Sequence, residues 1–185
     1  MITSSELRQK MDIKKPLYLI KYLLLLLPLL GSAQDKKKSI DAYNQGLRFF
    51  AQGKPKEALK AFDTSIINDS SNYDAWIKRG FIRSTVGDFQ GEMEDYNFVI
   101  KHDPMHTFAY ISRGSAYNRL KEFEKAIEDF NTAIKLDPSN QEAYNNRGFS
   151  RKGLSDKEGA CEDWNKSRQL GNAEAKIILK NNNCQ

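Results

Sequence analysis

Few residues in this chain are suited to chemistry. Its only cysteines are Cys161 and Cys184, and its only histidines are His102 and His106. Two histidines four apart on a helix have metal-ligand spacing. Here Asp103-Pro104 lies between them and marks a helix end, and no further Cys or His is close by. Neither a metal nor another cofactor is expected. The two thiols can pair in an oxidising compartment. From Cys161 a helix would carry the chain about 15 Å to Gly171, and a returning helix would lead back to Cys184. Antiparallel neighbours then bring the Cα atoms near the ~5.5 Å that a disulfide needs. The alternative is a buried Cys161, at the register held elsewhere by Leu59, Met93 and Ile127, with a free Cys184 in the tail. Adjacent acids occur at Glu94-Asp95, Glu128-Asp129 and Glu162-Asp163. Paired carboxylates serve acid–base catalysis, but these recur at one spacing, which marks them as structural partners for the equally recurrent Arg79, Arg113 and Arg147. No nucleophile elbow, phosphate loop or Cys–His constellation is present. The chain is not expected to be an enzyme.

The recurrence extends across the chain. IEDFNTAIKLDP (127–138) repeats MEDYNFVIKHDP (93–104) with seven of twelve letters identical. Gly46, Gly80, Gly114 and Gly148 are each 34 residues apart, and the last three follow an arginine. Four residues before these three lies an aromatic: Trp76, Tyr110 or Tyr144. Sixteen residues after each of the four glycines lies another: Phe62, Tyr96, Phe130 and Trp164. Ala58, Ala126 and Ala160 fall twelve after the glycine, while the second unit has Glu92 there.

Each unit reads as two helices. Apolar residues in ALKAFDTSI (58–66) and AIEDFNTAI (126–134) recur at helical spacing. Asp103-Pro104, Asp137-Pro138 or a Ser/Asn cluster then stops the helix. A glycine inside a helix costs about 1 kcal/mol against alanine. Four at one register imply that a partner helix comes close there, with its aromatic over the gap. One helix pair cannot bury such a face, whereas stacked pairs can. Glu92, the irregular residue of the second unit, is expected to face Arg83 across its own helix pair.

With this period and these offsets, the chain resembles the tetratricopeptide repeat family over roughly 39–172. The resemblance implies an all-α, right-handed α-solenoid of four 34-residue helix-turn-helix repeats (39–72, 73–106, 107–140 and 141–172). The first unit departs from the pattern with Ala42 at the aromatic position and Ser70 at the proline position, and the fourth has Asn172 instead of proline. End units are often atypical. After Gly171, a capping helix over Asn172–Asn181 with an apolar side at Ile177, Ile178 and Leu179 closes the stack, so that 173–185 form a cap and tail. The stretch ACEDWNKSRQLGNAEA is also similar to the last unit of exported bacterial repeat proteins.

In this family the first helices of successive pairs line a concave groove that takes a peptide or a partner helix. The resemblance therefore implies a groove of Tyr43, Leu47 and Phe50 from the first unit, then Ile77, Phe81 and Ser84. The third unit supplies Ile111, Ser115, Asn118 and Arg119, and the fourth Asn145, Phe149 and Lys152. One branch of the family grips a C-terminal carboxylate with Lys and Asn on the first helix. Those positions hold Tyr43 and Leu47 here, so that clamp is absent. The expected function is non-enzymatic binding of a protein or peptide, as an adaptor or assembly factor. The alternatives are a self-associating structural part of an envelope complex and, more remotely, an enzyme acting on envelope glycan. Against the last, Asp74 and Glu142 at the groove's edge sit 68 residues, or two repeats, apart.

Residues 1–33 read as a signal peptide. Lys14 and Lys15 precede an apolar run over 16–30, and Gly31, Ser32 and Ala33 place small residues before a cut after Ala33. The apolar stretch after Lys21 is shorter than the ~20 residues that span a bilayer, although an uncleaved anchor is the alternative. No Cys follows Ala33 to take a lipid, and Met11 competes with Met1 as the start. Cleavage would leave 152 residues, led by the basic stretch 34–38. It would also lower the net charge from +5 to +2, with 24 basic and 22 acidic residues remaining. The basic character thus belongs largely to the leader, and no nucleic-acid partner or stable membrane anchor after cleavage is expected. An exported protein follows from this, and the resemblance favours the periplasm.

Overall fold

The computed structural model describes the backbone of residues 15–184 and the side chains of residues 32–184. The choice between Met1 and Met11, and Lys14, lie outside the described residues. Nine helices, with no strand, occupy the described chain: α1 (Lys15–Ala51), α2 (Pro55–Asn68), α3 (Tyr73–Thr85), α4 (Phe89–His102), α5 (Thr107–Arg119), α6 (Phe123–Leu136), α7 (Gln141–Gly153), α8 (Lys157–Gln169) and α9 (Ala175–Asn181). They stack as antiparallel pairs: the end of α1 with α2, then α3 with α4, α5 with α6, and α7 with α8. Successive first helices also touch, α3 with α5 and α5 with α7. This is the four-pair solenoid that the repeat implies.

Local chemistry explains most of the helix starts. Asn72, Asp88, His106, Asn140 and Asp156 cap α3, α4, α5, α7 and α8 by accepting a backbone N–H of the first turn. Pro55 opens α2, where a missing N–H costs nothing. Units one to three end in an Asp whose carboxylate accepts the N–H two residues on: Ser71 to Asp69 (3.0 Å), Met105 to Asp103 (3.1 Å) and Ser139 to Asp137 (3.0 Å). The aspartate makes the turn, which is why Ser70 serves where the next two units have proline. Between the helices of each pair, one residue adopts the left-handed region. At this register stand Gly53 (φ 70°), Gly87 (φ 84°), Lys121 (φ 60°) and Ser155 (φ 66°).

The repeated glycines lie under the repeated aromatics. A Cβ on Gly46, Gly80, Gly114 or Gly148 would fall within 2.8 Å of Phe62, Tyr96, Phe130 or Trp164, all of which are buried. Each ring fills the notch left by its glycine, and this contact sets the distance between the paired helices. Small residues surround the rings: Ala58 and Ala75 near Phe62, and Ala126, Ala133 and Ala143 near Phe130.

Arginines lock the stack. Arg79, Arg113 and Arg147 make two-pronged bonds to Asp95, Asp129 and Asp163 of the same pair, at 2.6–3.0 Å. A third guanidinium nitrogen reaches back to the previous pair, to Asp63 (2.6 Å), Asn97 (2.8 Å) or Asn131 (2.6 Å). Only the second acid of each adjacent pair is used this way; Glu94, Glu128 and Glu162 are exposed. Arg83 and Arg151 add a second arginine to Asp95 (2.9 Å) and Asp163 (3.2 Å).

Two expectations need correction. The capping helix begins at Ala175 rather than Asn172. The Asn172 carboxamide instead bonds Ser167 Oγ (2.9 Å) and accepts the Glu174 N–H (3.0 Å), which forms a turn before the helix. Arg83 does not face Glu92: it binds Asp95 and the Gly91 carbonyl (3.0 Å), and Glu92 turns towards the next unit. At the other end, α1 runs unbroken through Ala33. Side chains 32–38 are exposed or half-buried, and Ser39 is the first buried one among those described. Packing of the solenoid thus starts at Ser39, whose Oγ meets Ser65 Oγ (3.0 Å).

Candidate functional site

The first helices α3, α5 and α7 turn their solvent-facing sides to one surface. Between α3 and α5 this surface deepens into a cleft of about 310 Å³. Ile77 and Phe81 form one wall, and Phe108 and Ile111 the other. Lys78, Ser112, Ser115, Arg119 and Glu142 supply polar groups, and Tyr96 closes the floor. Phe81 is 47% exposed and Phe108 57% exposed. Two open phenyl groups on opposite walls are unusual for side chains of this type, which normally bury. Phe50 extends the apolar wall, with its ring edge-on to Phe81 at 5.7 Å.

The thirteen groove residues named from the resemblance divide into three groups. Phe50, Phe81, Arg119, Phe149 and Lys152 are exposed, and Ile77 and Ser115 are half-buried at the cleft. Tyr43 and Leu47 lean into the first core cluster beside Phe62, and Ile111 is buried at 2%, with only an edge at the cleft. The remaining polar residues are bonded within the protein. Ser84 donates to the Phe81 carbonyl (2.7 Å). Asn118 donates to the Asn146 carbonyl (3.2 Å) and accepts from Ser150 (2.7 Å), so it staples α5 to α7. Asn145 donates to Asn146 (3.4 Å) and its backbone carbonyl accepts the Trp164 indole N–H (3.2 Å). Phe108, Lys78 and Tyr96 were not anticipated as cleft residues. Phe108 stands six before Gly114, the register of Asp74 and Glu142, so its place at the groove's edge was readable.

The floor of the cleft carries an ion pair between units. Glu92 stands where the other three units have alanine, and it is buried at 1%. Its carboxylate accepts from Arg119 Nη2, at the end of α5. Burial, and then the nearby Glu92 charge, push the Tyr96 hydroxyl well above its ordinary range, so it stays protonated. Burial also raises the Asp95 and Asp129 carboxyls, while Arg79 and Arg113 pull against it.

Both histidines have structural surroundings. His102 stacks on Phe98 (4.0 Å) and bonds the Phe98 carbonyl, while His106 Nδ1 accepts the Ala109 N–H (3.2 Å). Cys161 and Cys184 are bonded, with Cα atoms 5.5 Å apart, beside Trp164 and Leu179.

A family model described as a tetratricopeptide repeat matches residues 43–82, and one described as a TPR repeat matches residues 114–154. The chain is a tetratricopeptide-repeat protein. No curated protein matches its sequence. Among solved structures, its repeats are similar to those of TTC0263, a thermophilic TPR protein of Thermus thermophilus. That match has a TM-score of 0.70 at 16% identity, over 78% of this chain and 80% of the other. A crystal structure of MamA matches at TM-score 0.65 and 20% identity, over 95% of this chain and 98% of that one. The first TPR domain of Spaghetti (RPAP3), bound to the HSP90 peptide SRMEEVD, matches at TM-score 0.58 and 30% identity. That likeness covers 62% of this chain and 93% of the RPAP3 chain.

Proposed function

We propose that this tetratricopeptide-repeat protein is a non-enzymatic binding module that takes a peptide or a segment of another protein in the cleft between α3 and α5. The observation that carries this reading is the facing pair Phe81 and Phe108, open to solvent across a cleft with polar groups at its ends. An apolar patch rimmed by polar residues is a partner site in soluble proteins, and aromatic anchors supply most of the energy at such sites. The RPAP3 domain, whose structure contains an HSP90 peptide, lends support from a similar fold. Its ligand carries Glu-Glu-Val-Asp at its end, whereas the two clamp positions here are Tyr43 and Leu47, both packed against the core. A different ligand chemistry follows.

We further infer that the protein is exported and acts in the cell envelope as an adaptor or assembly factor. The basic, apolar and small-residue order of 14–33 supports this, as does the pairing of the only two cysteines. The mass of the N-terminal peptide from cells tests the export step, and a chain beginning at Gln34 is the expected result. Peptide selection on the purified chain tests the groove: sequences enriched on wild type should be lost on Phe81→Asp. Sequences retained by Phe81→Asp place the binding face elsewhere. Sedimentation at rising concentration identifies self-association, the competing use of the same face.

A further inference from the structure

We propose that Glu92 sets the ligand specificity of the cleft by neutralising Arg119, so that the site takes an uncharged apolar side chain of a partner protein and disfavours an acidic one. The inference rests on the groove reading above.

The second unit is alone in carrying an acid twelve residues after its glycine. A buried carboxylate needs a charged or hydrogen-bonding partner. The two arginines nearest in its own helix pair, Arg79 and Arg83, are committed to Asp95. Glu92 therefore draws on Arg119 from the following unit, at a register held elsewhere by Ala51, Thr85 and Gly153. The Arg119 side chain is 45% exposed and lines the cleft, and among the described residues only Glu92 bonds its guanidinium. Without Glu92, Arg119 would be a free cation beside Phe81 and Phe108, suited to a carboxylate. With Glu92 beneath it, the pair has no net charge, and Arg119 offers its remaining N–H groups as fixed donors. Such donors suit neutral acceptors, including the main-chain carbonyls of an extended segment. Lys78 and Glu142, the other two charges of the cleft, are of opposite sign and also balance. The result is an apolar slot of balanced charge.

The test uses two probes with one ring system, 1-naphthalenemethanol and 1-naphthoate, titrated into isotope-labelled full-length chain by NMR. In wild type, the alcohol should shift the backbone amides of Phe81, Phe108 and Ser112, and the carboxylate should bind more weakly. Glu92→Ala restores the residue of the other three units at this register, so the helix pair can accept it. This variant should bind naphthoate about tenfold more tightly, the worth of a charge-assisted hydrogen bond, and leave the alcohol within about twofold. The double variant Glu92→Ala, Arg119→Ala should lose that gain, which separates freed charge from added space. Equal naphthoate affinity in wild type and Glu92→Ala would overturn the role of Glu92 and leave the groove reading standing. Absence of shifts at Phe81 and Phe108 with either probe would overturn both.

Discussion

Changing Gly114 to alanine tests whether the glycine–aromatic contact sets the spacing of the helix pairs. An ideal Cβ on Gly114 would lie 2.8 Å from Phe130 Cε1 and 2.9 Å from Cζ. Carbon atoms pack at about 3.5–4.0 Å, so the ring or the helix must yield by about 0.7–1.2 Å. Phe130 has no room to withdraw, because Ala126, Ala133, Ala143 and Ile111 are buried around it. Overpacking of this kind costs ~1–3 kcal/mol. Helix propensity acts in the other direction and returns about 1 kcal/mol. The expected net result is a loss of about 1 kcal/mol, and up to about 2. For a chain of this size, each kcal/mol lowers the melting midpoint by about 2–4 °C. Urea denaturation followed by far-UV circular dichroism measures the loss directly. In a Phe130→Leu background the same substitution should stabilise, because the ring edge is gone and only the propensity gain remains. A neutral or stabilising Gly114→Ala in wild type would refute the argument.

Four further substitutions have outcomes set by the structure. Arg113→Met should destabilise by about 3 kcal/mol, because it leaves the buried Asp129 without an arginine. Arg79→Met should cost less, because Asp95 keeps Arg83 at 2.9 Å; denaturation midpoints of the two variants compare them. Lys121→Gly should stabilise by up to about 1 kcal/mol by relieving a left-handed backbone, after the added freedom of the unfolded chain is offset, and thermal melts read this against an unchanged Lys121→Ala. Cys184→Ser should remove about 3 kcal/mol of restraint on the 23-residue loop. Hydrogen exchange should then quicken over Ala175–Asn181 while α3 to α6 keep their protection.

The sequence made the repeat legible because its physical demands fall on single residue types at a fixed period. Only glycine admits the ring edge at Gly80 or Gly114, and only arginine can bind Asp129 with two nitrogens and Asn97 with a third. The site was less legible because it depends on contacts between units. Glu92 stood out as an irregular residue, but its own pair held a nearer arginine, and nothing in one repeat shows that Asp95 takes both Arg79 and Arg83. Tyr43 and Ile111 share one register with Ile77 and Asn145, yet Ile111 alone is buried while the other three are half-buried, because each meets different neighbours. The start of the cap was misplaced for a local reason. Asn172 is a good capping residue, but its carboxamide oxygen accepts the N–H only two residues on, at Glu174, which makes a turn before the helix starts at Ala175.

The central claim is that the concave cleft between α3 and α5 is where a partner binds. The most direct measurement places a photoreactive side chain at Phe81 in the protein in its native cells and, as a control, at the exposed loop residue Lys121. The account predicts capture of one defined protein at Phe81 and not at Lys121, with the yield falling when Phe108 is changed to Asp. Equal capture at both positions, or none at Phe81, would contradict it.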